Sequence, residues 1–383
     1  MRTMTFLAML LWLGFYCMVS PVGLLAQDQP PLVPDGVVYV IKSGDTLGGL
    51  ASLWLNSADK AEDIKKATLA AAKLGLEGLA QESTFEALVE GQKLILPVPL
   101  TEKDPSKFII DQKLNFPEAP FWSTKDEALY YVEWGGDKIW KLKNGQKSLF
   151  LANPEGDGPC GIDQDKDGNL WVALYTSGHL ALYAPDGTEL KRYREGPNGP
   201  FVGPNDLVID SDGGVYFTDS GNFEEDWTSG REAGKLYYLN SQGQILLLDD
   251  SISYANGVTL SPDGKTLYLN EHRKNQILSY PVLAPGQIGE RQVFIKLDSN
   301  CLAVAEVCYE VGPDGMTRDA DGNLWVAHYH SGAMLKISPQ GQVTQKLFLP
   351  LGDTPTNAAL SPNGQALYVS EASQGLLLLI PIK

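Results

Sequence analysis

The sequence predicts an all-β six-bladed β-propeller with a small N-terminal α+β domain of βααβ order. Two observations carry the propeller. A small polar turn recurs six times, at Lys125-Asp126-Glu127, Asp167-Gly168, Asp212-Gly213, Asp263-Gly264, Asp321-Gly322 and Asn363-Gly364. Each turn leads into an alternating strand such as Leu170-Trp171-Val172 or Leu324-Trp325-Val326. The spacings are 41, 45, 51, 58 and 42 residues, the period of one four-stranded blade per repeat. Third strands follow in register: 138–142, 179–183, 235–239, 276–280, 333–337 and 376–380. Residues just before Glu118 are expected to complete the last blade and close the ring, which protects sheet edges.

The chain has 383 residues and a net charge of −17. That acidity argues against nucleic-acid binding, which needs a basic surface. Arg2 precedes a 14-residue apolar run from Phe6 to Val19, short for a membrane span and suited to a signal segment. Residues 1–26 therefore read as an export signal, cleaved after Ala26, with an uncleaved anchor as the alternative. Such a chain is expected to be periplasmic, secreted or attached to the cell envelope. Cys160, Cys301 and Cys308 lie beyond the signal; Cys301 and Cys308 could pair or remain two free thiols.

Residues 27–36 form a polar, proline-rich linker, 37–99 the small domain, 100–107 a second linker and 108–383 the propeller. The small domain opens with a strand at 37–42. Ser43-Gly44-Asp45-Thr46 is a turn and helix N-cap. Leu47, Leu50, Ala51 and Trp54 recur at helical spacing, a second helix covers 60–73, and a strand closes the unit at 91–97. With Tyr-Val-Ile-Lys-Ser-Gly-Asp-Thr-Leu at 39–47 and Gly-Gln-Lys-Leu-Ile-Leu-Pro at 91–97, it resembles a LysM domain. The resemblance implies binding to peptidoglycan or another GlcNAc-containing glycan; a spacer that keeps the fold is the alternative.

Counting back seven residues from each turn, eight in the first repeat, selects Glu118, Cys160, Asn205, Asn256, Asp314 and Thr356. In a propeller these positions form a ring at one mouth of the tunnel. Four of them, Glu118, Asn205, Asn256 and Asp314, offer carboxylate or amide oxygens. Two negative charges among oxygen donors suit Ca²⁺, or another hard divalent cation, better than Zn²⁺. Fourteen residues further on, fifteen in the first repeat, come Glu133, Leu174, Asp219, Asn270, His328 and Ser370, expected as a second ring. His272 and His330 follow closely and could reach the pocket from loops.

The stretches Phe116-Pro117-Glu118-Ala119-Pro120-Phe121-Trp122, Gly203-Pro204-Asn205-Asp206, Tyr216-Phe217-Thr218-Asp219, Asn256-Gly257 and Gly312-Pro313-Asp314-Gly315-Met316 resemble the SMP-30/gluconolactonase/LRE family, most closely its bacterial gluconolactonase branch. The resemblance implies a Ca²⁺-dependent lactonase-type ester hydrolase with Glu118, Asn205, Asn256 and Asp314 as metal ligands. It makes Asp314 the expected base, with Asp219 or His328 able to take that role. Glu133, Asn270, His272 and His330 are expected to contact a small lactone or ester substrate. Animal-type sugar lactonases of the family carry a substrate-binding Arg where this chain has Gly203. Two other readings stay open: a cell-wall-associated propeller that only binds, and a metal-dependent lyase acting on a cyclic ester.

Overall fold

In the computed structural model, the described residues are 36–41, 46–48, 50–51, 61–73, 80, 85, 88, 92–97, 105–152, 156–221, 232–298 and 311–382. The signal segment, residues 27–35 of the first linker, and Cys301 with Cys308 lie outside them. Six antiparallel sheets are arranged as blades around one axis. Their innermost strands are Pro117–Ser123, Pro159–Gln164, Pro204–Ile209, Ala255–Leu260, Gly312–Arg318 and Pro355–Leu360. Each touches the next, and the last touches the first, so the ring is closed. Closure comes from a strand at Ile109–Gln112, which pairs with Leu376–Pro381 as the outer strand of blade VI.

Apolar clusters fill the seams between blades. Tyr130, Val132, Ile162 and Val172 pack between blades I and II, and Tyr216, Leu236, Val258 and Leu269 between III and IV. Burying each such side chain contributes roughly 1.5–3 kcal/mol, so the seams hold the ring rigid enough to place polar groups at its axis.

The turns explain part of the acidic composition. Asp210 Oδ1 accepts the backbone N–H groups of Asp212 and Gly214 at 2.9 and 2.8 Å, and Asp165 and Asp319 do the same in blades II and V. Gly168, Gly213 and Gly322 adopt the left-handed conformation that this loop requires. Blades IV and VI use a turn one residue longer: Ser261 N–H reaches Thr266 O, whereas Asp210 N–H reaches Gly214 O. That extra residue matters for the site.

Near the N-terminus, strands Gly36–Val40 and Lys93–Pro97 pair antiparallel, with helix Ala61–Lys73 between them in sequence. Ile41, Leu47, Leu50, Ala51, Ile64, Phe85 and Leu94 are buried. Residues 47, 48, 50 and 51 are helical, so the described residues follow the expected strand–helix–helix–strand order.

Candidate active site at the tunnel mouth

Each innermost strand begins at the same mouth, and the six counted positions meet there. Glu118, Asn205, Asn256 and Asp314 are each less than a tenth exposed. Burial, reinforced by the charge of Asp314, drives the Glu118 carboxyl well above the usual range; the Ala119 N–H and the Thr356 hydroxyl oppose this. Burial raises Asp314 likewise, with the Asn256 amide opposing through a hydrogen bond and Asp206 adding repulsion. Cys160 Sγ donates to Asn205 Oδ1 at 3.8 Å, and its thiol is pushed up by burial and then by Glu118, Asp314 and Asp206. Side chains from blades I to VI therefore share one small volume.

Asp206 also belongs to this group. Its carboxylate accepts the N–H groups of Leu207 at 2.9 Å and Val258 at 3.1 Å, and burial lifts it to about 7. Spacing alone did not select it, although it follows Asn205 directly.

Tight packing sets this geometry. The residue after the ring position is glycine in blades II, IV and V. A Cβ on Gly161 would lie 2.6 Å from Asp206 Cα, one on Gly257 2.5 Å from Asp314 O, and one on Gly315 2.0 Å from Asn357 Cγ. Neighbouring inner strands thus approach closely only because these side chains are absent. Thr218 Oγ1 donates to Asn256 O at 2.8 Å, Asn270 Nδ2 to Asp314 O at 2.5 Å, and Thr356 Oγ1 to Pro117 O at 2.8 Å. These bonds fasten the start of one inner strand to its neighbouring blade.

The expected second ring divides between two faces. By strand register, Glu133, Leu174, Asp219, Glu271, His328 and Glu371 are equivalent, each opposite the first residues of its inner strand. The longer turns of blades IV and VI shift the count by one, so Asn270 and Ser370 occupy the alternate face. Both are fully buried. Asn270 braces Asp314, and its Oδ1 has no hydrogen-bond partner.

The equivalent carboxylates serve their own blades. Asp219 accepts the N–H groups of Val202, Gly203 and Gly221 at 2.9, 2.9 and 3.0 Å. Glu133 accepts Asn115 N–H at 3.1 Å and Trp140 Nε1–H at 2.8 Å. Glu271 and Glu371 likewise clasp Ser253 and Thr354. Asp219, expected as a base, instead commits its carboxylate to loop backbone, and Glu133, expected as a substrate ligand, commits its own to the Asn115 N–H and the Trp140 indole. His328, also expected as a base, is held by a side chain instead. Its Nε2 donates to Asn275 Oδ1 at 2.9 Å, and burial lowers its pKa to about 3.

His272 and His330 do lie at the mouth. His272 Nδ1 donates to Pro313 O at 3.2 Å, next to Asp314, and burial lowers it to about 4, which leaves a neutral ring. His330 packs on Tyr329 with centroids 4.2 Å apart, and burial lowers its pKa too. A separate groove of 410 Å³ opens on the opposite face, lined by Asp210, Ser211, Ser261, Asp263 and Arg318 among others; it contains none of the ring residues.

The donor chemistry fits a hard cation. Among the described residues, no Lys or Arg forms an ion pair with Glu118, Asp206 or Asp314. Buried carboxylates without counter-charge are costly, and a divalent cation removes that cost. Among the described residues, no three His, Cys, Asp or Glu side chains form a metal-holding cluster. The oxygen set here is two carboxylates and two amides, a donor type suited to Ca²⁺.

Comparison with known proteins agrees with this architecture. Regucalcin from Xenopus laevis is 27% identical over 274 residues, covering 70% of this chain and 87% of regucalcin. L-arabinolactonase from Azospirillum brasilense is 26% identical over 270 residues, covering 70% and 84%. A gluconolactonase structure from Xanthomonas campestris superposes with a TM-score of 0.60 at 20% identity, covering 72% of this chain and 89% of that one, which establishes the shared fold. The model of the SMP-30/Gluconolactonase/LRE-like region matches residues 116–373, and the chain belongs to that family.

Proposed function

We propose that this protein is an exported, divalent-cation-dependent lactone hydrolase. One observation carries the reading: Glu118 and Asp314, from blades I and V, are buried together, and among the described residues no Lys or Arg forms an ion pair with either. Glu118, Asn205, Asn256 and Asp314 would hold Ca²⁺, which when bound supplies Lewis-acid polarisation of the ester carbonyl. The Asp314 carboxylate, oriented by the Asn256 amide and by the Asn270 bond to its carbonyl, accepts the proton of the attacking water. The close-packed inner strands fix these groups in advance, so little reorganisation is needed at the moment of reaction. Lactonase relatives such as L-arabinolactonase support the reaction class.

A lactone panel assayed with and without a chelator tests the reading. Ring opening should occur with added Ca²⁺ and stop on chelation. Persistent turnover in the chelator, or none on any lactone, would sink it.

The N-terminal unit is read as a LysM-like tether, and residues 1–26 as the export signal. The strand pairing and helix order support the tether; the apolar run after Arg2 supports export. Full-length protein should co-sediment with purified peptidoglycan sacculi, and its mature N-terminus should follow Ala26. A protein that stays in the supernatant has a spacer, not a tether.

A further inference from the structure

We propose that the mouth selects a neutral lactone bearing an aromatic or extended apolar ring, in preference to a polyhydroxylated or anionic sugar lactone. The proposal rests on the hydrolase reading above and names its substrate class. Rings from blades I, II, IV and V form a chain of contacts at the mouth. Phe116 meets Trp134 with centroids 5.4 Å apart, and Trp134 meets Tyr175 at 6.3 Å. The Tyr175 and Tyr254 hydroxyls are 3.0 Å apart. Tyr254 meets His272 at 5.7 Å, and His272 meets Tyr329 at 5.7 Å.

The placement is systematic. Trp134, Tyr175, His272 and Tyr329 each directly follow the register-equivalent residue at the end of the second strand, Tyr329 being the last residue of its strand, in four of the six blades. Phe116 and Tyr254 directly precede inner strands and hold left-handed conformations, φ 55° and 60°. Bulky side chains rarely adopt that conformation, and such strain clusters where side-chain direction serves a site. Two glycines make room for the rings. A Cβ on Gly203 would lie 3.0 Å from Tyr175 Cε2, and one on Gly158 would lie 2.9 Å from Trp134 Nε1. Tyr254 directly precedes the inner strand Ala255–Leu260, two residues before the ring position Asn256.

The polar groups below favour the same class. Asn270, Thr218 and Thr356 already donate to backbone carbonyls of the scaffold. A site built for several hydroxyls would keep such groups for the substrate. Among the described residues, no Lys or Arg forms an ion pair with Glu118, Asp206 or Asp314, and aromatic walls favour offset or edge contact with another ring. Lys274, two residues after His272, is tied to Glu232 and Glu271 at 2.5 and 3.0 Å.

The test uses the full Ca²⁺-loaded chain with dihydrocoumarin, δ-valerolactone and D-glucono-1,5-lactone. Each kcat/KM is divided by the rate of hydrolysis of that lactone by hydroxide. Dihydrocoumarin should lead gluconolactone by roughly 100-fold. Trp134→Ala and Tyr175→Ala should each lower the dihydrocoumarin to δ-valerolactone ratio roughly tenfold. Calorimetry gives a readout without turnover: 3,4-dihydroquinolin-2-one, a lactam of the same shape, should bind more tightly than D-gluconolactam and weaken in Tyr175→Ala. A preference for gluconolactone, or equal binding of the two lactams, overturns the substrate class and leaves the hydrolase reading standing. No hydrolysis of any of the three overturns both.

Discussion

Asp314→Asn should cut lactone turnover on the order of 10³-fold and, in the same protein, raise the melting temperature of the chelated form. The two effects have one cause. Asp314 is buried beside Glu118 and Asp206; Asp314 and Asp206 both raise the Glu118 carboxyl, and Asp206 raises that of Asp314. Removing one charge without changing shape relieves repulsion in the metal-free fold. A gain of about 2 kcal/mol is reasonable for a buried charge lacking a partner, and in a domain of this size that is roughly 5 °C. The same substitution removes the proposed proton acceptor and half of the negative charge offered to a cation. Stability and activity therefore move in opposite directions, unlike the paired losses of a misfolding variant. Steady-state kinetics with Ca²⁺ and thermal melts in chelator check both arms. Turnover within tenfold of wild type would remove Asp314 from the chemistry.

The architecture was legible because its determinants are local. Asp-Gly and Asn-Gly pairs mark hairpin turns, since Gly168, Gly213 and Gly322 must be left-handed there. Alternation marks the strands, and a repeat of blade length marks the ring. Counting from those turns also selected the six mouth residues, because inner strands start at a near-constant distance from their turns. The same count failed on the returning strand. Blades IV and VI carry one more turn residue, and a shift of one moves a side chain to the other face, which is why Asn270 and Ser370 were grouped with Asp219. Only hydrogen-bond register separates the two sets. Asp219, Glu133 and His328 look chemically ready in the sequence because it shows residue types, not the groups that hold them: backbone N–H groups on Asp219 and Glu133, and the Asn275 side chain on His328. The aromatic collar carried a readable signal that went unused: a ring at or immediately after the end of the second strand in four blades.

The chelated protein should lose stability as pH rises from about 4 through 7, and Ca²⁺ should restore it at pH 8 but hardly at pH 5. The sign follows from the direction of the shifts. Asp206 is lifted to about 7 by burial, Asp163 to about 6 by burial, and Glu118 and Asp314 well above the carboxylate range. Unfolded carboxyls titrate near 4. Between those values the folded chain holds protons that the unfolded chain has released, so stability falls with rising pH. Three units on Asp206 alone correspond to on the order of 4 kcal/mol, or about 10 °C in a domain of this size. A cation competes with the same protons. It binds well only where the carboxylates are ionised, so its stabilisation grows over the range in which the chelated form weakens. Melting curves at pH 5, 6.5 and 8, each with chelator and with millimolar Ca²⁺, separate this from a general pH effect. A flat profile in chelator would mean that the mouth carboxylates are not buried against one another. An equal Ca²⁺ effect at pH 5 and 8 would place the ion elsewhere on the acidic surface.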